Sequence, residues 1–184
     1  MSKNKQSPVN LRKGLIVFSQ LHFLFIILLI VQTILYDTSQ LITPDYVLYR
    51  WVVISALLVV NSVIWYLAHS RSRHALMHKL LLLLMILADV ALASFSVYTQ
   101  RGMASRAVFL FIIPIIVSGL LLSRSALYAT AILCIAAYSL SAISYFILNF
   151  NEGYKVELYG EVGFYSLSML FIAGLLAKLL KSRE

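Results

Sequence analysis

Three side chains with polar or ionisable groups lie deep inside long apolar stretches of this sequence. They are Asp89, His22 and Asn61, and each belongs to a different apolar run. A charged group at the centre of a bilayer costs at least about 2.5–3.5 kcal/mol, so such groups are expected to face the interior of a helix bundle. Counted from the ends of their runs at a rise of about 1.5 Å per residue, all three lie within about 3 Å of the same depth. We therefore predict a buried Asp89–His22–Asn61 cluster.

Two interpretations of this cluster stay open. It can be a structural contact that fixes the register of three helices by hydrogen bonds. It can also be a proton-sensitive or conformational switch, because the charge of a buried carboxyl depends on burial and on a neighbouring imidazole. We favour the structural interpretation, because a shared depth alone does not show which way each side chain faces.

A proline and a row of small residues mark the fourth and fifth apolar runs. Pro114 lies in the middle of the fourth run, where it removes a backbone hydrogen bond and tends to kink a helix, so it is a candidate hinge. The fifth run carries small side chains at alternating spacings of four and three, on one helix face. Such a face lets helices approach closely in lipid, and we expect it to pack within the bundle. This small-residue stripe comprises Ala126, Thr130, Cys134, Ala137, Ser141 and Ser144.

No metal, cofactor or catalytic residue is assigned from the sequence. His74 and His78 lie four residues apart and could share a helix face as metal ligands, but no Cys or carboxylate joins them. Their position beside an apolar run is explained by attraction to anionic lipid. The sequence contains none of the motifs for nucleotide binding, zinc hydrolysis or serine hydrolysis.

The composition identifies the solvent around these residues. Hydrophobic residues form 61% of the 184 residues and charged residues form 12%, against roughly 45–50% and about 25% in soluble domains. A chain of this length cannot bury so much apolar surface inside itself, so its surroundings must be largely lipid. The net charge of +8 then indicates membrane orientation rather than nucleic-acid binding, because the basic residues cluster at the ends of apolar runs.

The apolar runs predict an all-α, polytopic membrane protein with a six-helix transmembrane bundle. Most runs reach the roughly 20 residues that a helix needs to cross a bilayer, and none shows the alternation of a barrel strand. The predicted helices are 14–36, 47–68, 80–98, 107–122, 126–148 and 158–180, within a membrane domain at 14–180 that follows a basic tail at 1–13 and precedes a linker or terminus at 181–184.

Six helices place both termini on one side of the membrane, and the basic residues indicate which side. Eleven Lys and Arg residues lie in the tails and loops on the side of the termini, whereas four lie on the opposite side. Because cytoplasmic loops carry the excess of basic residues, both termini are predicted to be cytoplasmic, in a bacterial inner membrane.

The stretch from the third helix onward resembles a known family. It reads LLLLLMILADVALASFSVY over 80–98 and FLFIIPIIVSGLLLS over 109–123, with a short turn between them. This pattern is similar to the six-helix membrane domain of sensor histidine kinases of the pilin-regulatory type. That family has an Asp in helix three, a short outer turn, a Pro in helix four and a basic exit from helix six. The matching positions here are Asp89, Gly102, Pro114, Gly119 and Lys178.

The resemblance implies a signal-input domain of a two-component system, expected to act as a homodimer in the lipid bilayer. It would relay a helix shift to a cytoplasmic kinase or output domain, in the same protein or in a partner. A phosphoacceptor His is usually followed by an acid, and no His here is, so kinase activity would come only from that output domain. The three-four spacing of Leu176, Leu179 and Leu180 predicts a coiled-coil continuation in the dimer.

Two alternatives come from other functional classes. The chain can be a small membrane transporter or permease component that uses the Asp89 cluster for proton coupling. It can also be a membrane assembly factor that acts only by binding a partner. Both alternatives use the same six predicted helices, so the topology does not distinguish them from a signal-input domain.

Overall fold

The computed structural model describes residues 8–39, 44–69, 75–150 and 155–181, and every regular element among them is helical. The predicted all-α class is therefore confirmed. The α-helices are α1 (Pro8–Thr38), α2 (Pro44–His69), α3 (Ala75–Thr99), α4 (Ile112–Leu121), α5 (Arg124–Phe150) and α6 (Val156–Lys181), and two 3₁₀ segments, Gly102–Ala104 and Arg106–Phe111, lie between α3 and α4.

Five of these helices are long and apolar enough to cross a membrane, as in a multi-pass membrane protein. They are α1, α2, α3, α5 and α6, whose most apolar stretches have mean hydropathies of 1.7 to 2.5. The sixth apolar segment, Arg106–Leu121, is shorter. In α6 only 17% of the most apolar stretch is buried inside the structure. Large apolar side chains that face outward along most of a helix are typical of a lipid-facing surface, since soluble chains keep such patches small.

The chain forms two compact units, Met1–Met85 and Ile86–Glu184, and the boundary falls inside α3. In the first unit α1 and α2 pack side by side as an antiparallel pair. At one end of the pair, Arg12 Nε donates a hydrogen bond to the Ala68 carbonyl oxygen at 2.9 Å, and Nη2 donates to the His69 carbonyl oxygen at 3.1 Å. Carbonyls in the last turn of a helix have no partner within that helix. Arg12 of α1 therefore caps the end of α2.

The other end of this helix pair is held by an aromatic contact. The guanidinium carbon of Arg50, in α2, lies 4.9 Å from the centre of the Tyr36 ring, in α1, which is a cation–π distance. Between the two ends, the buried side chains recur at spacings of three, four or seven, so they form one face on each helix. They are Leu11, Leu15, Ser19, His22, Ile26 and Thr33 in α1, and Val47, Ile54, Leu57, Asn61, Ile64 and Ala68 in α2.

The second unit is built around α5, which packs against α4, α6 and both 3₁₀ segments. Tyr138 of α5 is fully buried at the centre of its core. The ring of Tyr138 packs edge-on against Phe111 and Tyr165, with ring centres 6.1 and 5.7 Å away. Ala131 and Ala173, on α5 and α6, belong to the same core and have no exposed surface. Small residues at these positions let neighbouring helices approach closely.

The turn that follows α3 has a left-handed backbone. Arg101 and Gly102 have φ angles of +72° and +61°, and the Ser105 N–H donates to the Gly102 carbonyl oxygen at 3.0 Å. A Cβ atom on Gly102 would lie 2.8 Å from Cδ1 of Tyr145 in α5, inside van der Waals contact. The Tyr145 ring in turn packs edge-on against Tyr98 at the end of α3. Glycine is therefore required at 102 both by its φ angle and by the close approach of Tyr145.

We predict that Gly102→Ala destabilises the chain and that Gly163→Ala does not. Alanine at 102 would adopt a left-handed conformation that costs roughly 1–2 kcal/mol, in addition to its overlap with Tyr145. A Cβ on Gly163, inside α6, meets nothing within 4 Å, and replacing an interior helical glycine by alanine favours folding by about 0.5–1 kcal/mol. Unfolding of both variants in detergent measures the difference. Equal stability of Gly102→Ala and the native chain would contradict the left-handed backbone at residue 102 and its close approach to Tyr145.

Candidate functional site

A pair of hydrogen bonds joins α1 to α2 near the depth predicted for the polar cluster. Ser19 Oγ donates to Asn61 Oδ1 at 2.9 Å, and Asn61 Nδ2 donates to the Ser19 carbonyl oxygen at 3.0 Å. Both side chains are buried, with 0% and 1% of their surface exposed. The two bonds run in opposite directions between the same two residues. They therefore fix the rotation of each helix about its axis as well as its position along that axis. We call this pair the Ser19–Asn61 clasp.

Ser19 was not predicted from the sequence, although one signal for it was present. Ser19 precedes His22 by three residues and therefore lies on the same face of α1. A serine hydroxyl in a membrane helix usually bonds to a carbonyl of its own helix, so it rarely marks an interhelical contact. Asn61 was correctly expected to be buried, but its amide bonds to Ser19, which the prediction did not include.

His22 lies one turn beyond Ser19 and is 7% exposed. Its imidazole stacks with the rings of Phe18 and Phe25, at centre distances of 6.1 and 6.2 Å and interplanar angles of 13° and 7°. All three rings belong to α1, so these two ring contacts lie within one helix. His22 therefore belongs to the buried polar face of the first unit, together with the clasp.

Asp89, the acid of the predicted cluster, lies in the second unit and is 6% exposed. Its carboxylate is close enough to the thiol of Cys134 in α5 to interact with it electrostatically. Cys134 is fully buried and belongs to the predicted small-residue stripe. The sequence did not indicate this electrostatic interaction, and the three-residue cluster with His22 and Asn61 stays a prediction.

A second polar group, one turn from Cys134, was also not predicted from the sequence. The Tyr138 hydroxyl is buried, and no hydrogen-bond partner for it occurs in the part of the chain that the structure describes. Tyr138 also interacts electrostatically with Tyr165 and Glu161 of α6. Glu161 lies six residues into α6 and is exposed. The sequence did contain a signal for this polar contact in α6. Glu161 lies near the start of an apolar run, and Tyr165 follows four residues later on the same helix face.

Pro114 is buried in the first turn of α4 rather than in the middle of a helix. The single helix predicted over 107–122 is in fact divided, because Arg106–Phe111 is a 3₁₀ segment and α4 begins at Ile112. Backbone N–H groups in the first turn of an α-helix have no partner within it, so proline costs little at this position. The irregular backbone lies just before Pro114, and a hinge at Pro114 stays a prediction.

The small-residue stripe of α5 lies at the edge of its buried face. Thr130 and Cys134 are buried, whereas Ala126, Ala137, Ser141 and Ser144 are half-buried. The Ser141 hydroxyl donates to the carbonyl oxygen of Ala137, four residues earlier, at 2.9 Å. The centre of the face holds larger side chains as well as alanines, namely Leu127, Thr130, Ala131, Cys134, Tyr138, Ala142 and Phe146. A stripe of small residues therefore covers only part of the surface with which α5 packs.

Potential metal ligands do not cluster in the described ranges. Within residues 8–39, 44–69, 75–150 and 155–181, no three His, Cys, Asp or Glu side chains are placed to hold a metal ion. His78 is buried at the start of α3, and His74 lies outside the described residues. His69 is exposed at the end of α2, where its Nδ1 lies 2.9 Å from the Trp65 carbonyl oxygen.

Comparison with known proteins finds no protein family, no curated protein and no solved structure that matches this chain. The resemblance to the membrane domain of sensor histidine kinases therefore stays a prediction from sequence.

We predict a measurable coupling between Ser19 and Asn61. In a double-mutant cycle with Ser19→Ala and Asn61→Leu, the coupling free energy should be about 0.6 kcal/mol, the average for polar contacts between membrane helices, with an upper limit near 1.7 kcal/mol. Unfolding in detergent measures it. The control cycle pairs Ser19→Ala with Asn149→Leu, because the Asn149 amide is exposed and bonds to the Tyr145 carbonyl of its own helix. That cycle should give no coupling. Strictly additive losses in the first cycle would rule out the clasp.

Proposed function

We propose that this chain is a membrane-embedded signal-input domain that relays a conformational change through α6 to a cytoplasmic output domain. The observation that carries the proposal is the shared core of the second unit. Val90 and Ala93, on the same helix as Asp89, belong to one hydrophobic core with Met169, Ala173 and Ala177 of α6. Protein cores are close-packed and transmit small displacements. A change in the charge or partner of Asp89 would therefore act on α6.

The form of α6 also supports the proposal. The helix continues without interruption from Val156 to Lys181. Its last two turns keep an inward face, because Ala177 is buried and Leu176 and Leu180 pack against the core of the second unit. A continuous helix with one packed face can pass a shift or rotation from the membrane to a domain that follows it.

The outward face of α6 supports a homodimer. Gly160 and Gly174 lie within this helix, and a Cβ atom on either of them would meet nothing within 4 Å among the described residues. Glycine inside a helix costs about 0.5–1 kcal/mol relative to alanine, so its presence calls for a reason. Packing among the residues that the structure describes supplies none here. Close approach of a second helix in lipid is such a reason, and we propose a second copy of α6 as that helix.

We propose that the chain crosses the inner membrane of a bacterium with six segments. Both termini then lie in the cytoplasm. The segment Arg106–Leu121 would be the sixth, with its 3₁₀ part included. Sixteen residues that are partly in 3₁₀ conformation, at about 2.0 Å rise per residue, reach farther than the same number in an α-helix. The excess of basic residues on the side of the termini supports this orientation.

One observation favours a second candidate function, a small transporter coupled to protons. Asp89, Cys134 and Tyr138 place three ionisable side chains in the core of the second unit, and Tyr138 interacts with Glu161 at the exposed beginning of α6. Ionisable groups inside membrane helices commonly mark proton pathways. The two candidate functions differ in what the protonation of Asp89 would drive, which is a helix shift in one and translocation in the other.

We predict that cysteines along α6 crosslink between copies only on its outward face. In native membranes, with Cys134 replaced by alanine, cysteines at 164, 167, 171 and 175 should crosslink, because Phe164, Leu167, Phe171 and Leu175 are exposed. Cysteines at Met169, Ala173 and Ala177 are the matched controls, since these residues are buried in the core of the second unit. Their crosslinks should be absent. A flat profile, or crosslinks at the inward positions, would contradict the proposed dimer.

Substitution of Asp89 distinguishes the two candidate functions from a purely structural role. Asp89→Asn keeps the hydrogen-bonding shape and removes the charge, so it should fold like the native chain, whereas Asp89→Leu removes both and should reduce stability. For a signal-input domain, Asp89→Asn changes the yield of the α6 crosslinks and abolishes their dependence on pH. For a transporter, it leaves the crosslinks unchanged and abolishes proton uptake in reconstituted vesicles. Native behaviour of Asp89→Asn in both assays would leave Asp89 only a structural role.

A further inference from the structure

A groove opens on one side of the α1–α2 pair, near the end that Arg12 caps. It is lined by Gln20, Phe23, Ser62, Trp65 and Tyr66 and has a volume of about 540 Å³. This volume is within the range of roughly 300–1,000 Å³ that is usual for small-molecule sites. The lining comes from two adjacent turns of each helix, so the groove runs along the pair and is open sideways.

The polar residues of this groove distinguish it from an ordinary lipid-facing surface. Gln20 is exposed and Ser62 is half-buried, although both lie inside helices that are apolar enough to span a membrane. Tyr66 is 72% exposed at the groove edge. A polar group in contact with hydrocarbon, with no hydrogen-bond partner, is costly. An occupant that supplies both hydrogen-bonding groups and apolar chain would satisfy these side chains.

Basic residues lie at the end of the groove. Lys13 is exposed, and it lies seven residues before Gln20 in α1, a distance of about 10 Å along the helix. Arg12 uses Nε and Nη2 to cap α2, and its Nη1 carries two further N–H groups. The ring of Trp65 packs against His69, with ring centres 4.3 Å apart, so the groove wall continues to the end of α2.

We propose that this groove binds an anionic phospholipid of the surrounding bilayer. The phosphate lies against Lys13 and the outer N–H groups of Arg12, where opposite charges meet. Because side chains on a helix lean toward its N-terminus, the Gln20 amide points back toward Lys13 and meets the polar linkage between headgroup and acyl chain. One acyl chain then lies against Phe23 and Trp65. Basic pockets between membrane helices are known to hold anionic headgroups in this way.

Native mass spectrometry of the full chain in detergent tests the proposal, with phosphatidylglycerol as the anionic probe and phosphatidylcholine as the zwitterionic one. The native chain should retain phosphatidylglycerol about tenfold more strongly than phosphatidylcholine. Lys13→Gln should lower this ratio about fivefold, which is the order expected for one basic residue at an anionic surface. Gln20→Leu and Trp65→Ala should weaken retention of both lipids. Arg12 is left unchanged, because it caps α2.

The matched control is Lys79→Gln. Lys79 is exposed near the start of α3 and does not line the groove, so it reports only general attraction between basic residues and anionic lipid. Its replacement should leave the preference unchanged. An equal loss from Lys79→Gln and Lys13→Gln would overturn the proposal in favour of such general attraction. Equal retention of the two lipids, or native retention by Trp65→Ala, would overturn it as well.

Discussion

The absence of hydrogen-bonding solvent in a bilayer is the constraint on which this structure depends. Each polar group of a membrane helix must find its partner within the protein, or remain unsatisfied at a cost of several kcal/mol. Many hydroxyls here meet the constraint locally. Thr33, Ser94 and Ser168 each donate to the carbonyl four residues earlier, at 2.7–2.9 Å. Side chains that cannot bond within their own helix therefore determine how the helices pair.

The two units meet this constraint in different ways. In the first, polar contacts specify the helix pair at both ends and in the middle, through Arg12, the Ser19–Asn61 clasp and the contact between Arg50 and Tyr36. Apolar packing alone distinguishes poorly between helix registers in lipid, because lipid tails are as apolar as the side chains. In the second unit, packed aromatic rings and alanines form the core, and Tyr138 brings a polar hydroxyl into it.

The sequence was sufficient to predict the helices but not the contacts between them. All six predicted apolar runs lie in helical segments, because a helix satisfies the backbone polar groups of a continuous apolar run within that run. The division of the fourth run at Ile112 was not predictable, since the choice between 3₁₀ and α conformation follows from packing under α5. Similarly, burial of His22, Asn61 and Asp89 followed from their polarity. The hydrogen bond between Ser19 and Asn61 and the electrostatic interaction of Asp89 with Cys134 did not, because serine and cysteine are ordinary in a membrane helix.

The exposed residues follow the same logic as the buried ones. An apolar side chain such as Leu148, 70% exposed, needs no partner in lipid, so exposure of this kind carries no functional information. Exposed Gln20 is different, because hydrocarbon cannot satisfy its amide. The interior glycines of α6 are also different, because each weakens the helix without a packing benefit from any residue that the structure describes. Exposed residues that are unfavourable in contact with lipid are therefore the ones on which the proposed lipid contact of α1 and the proposed dimer contact of α6 rest.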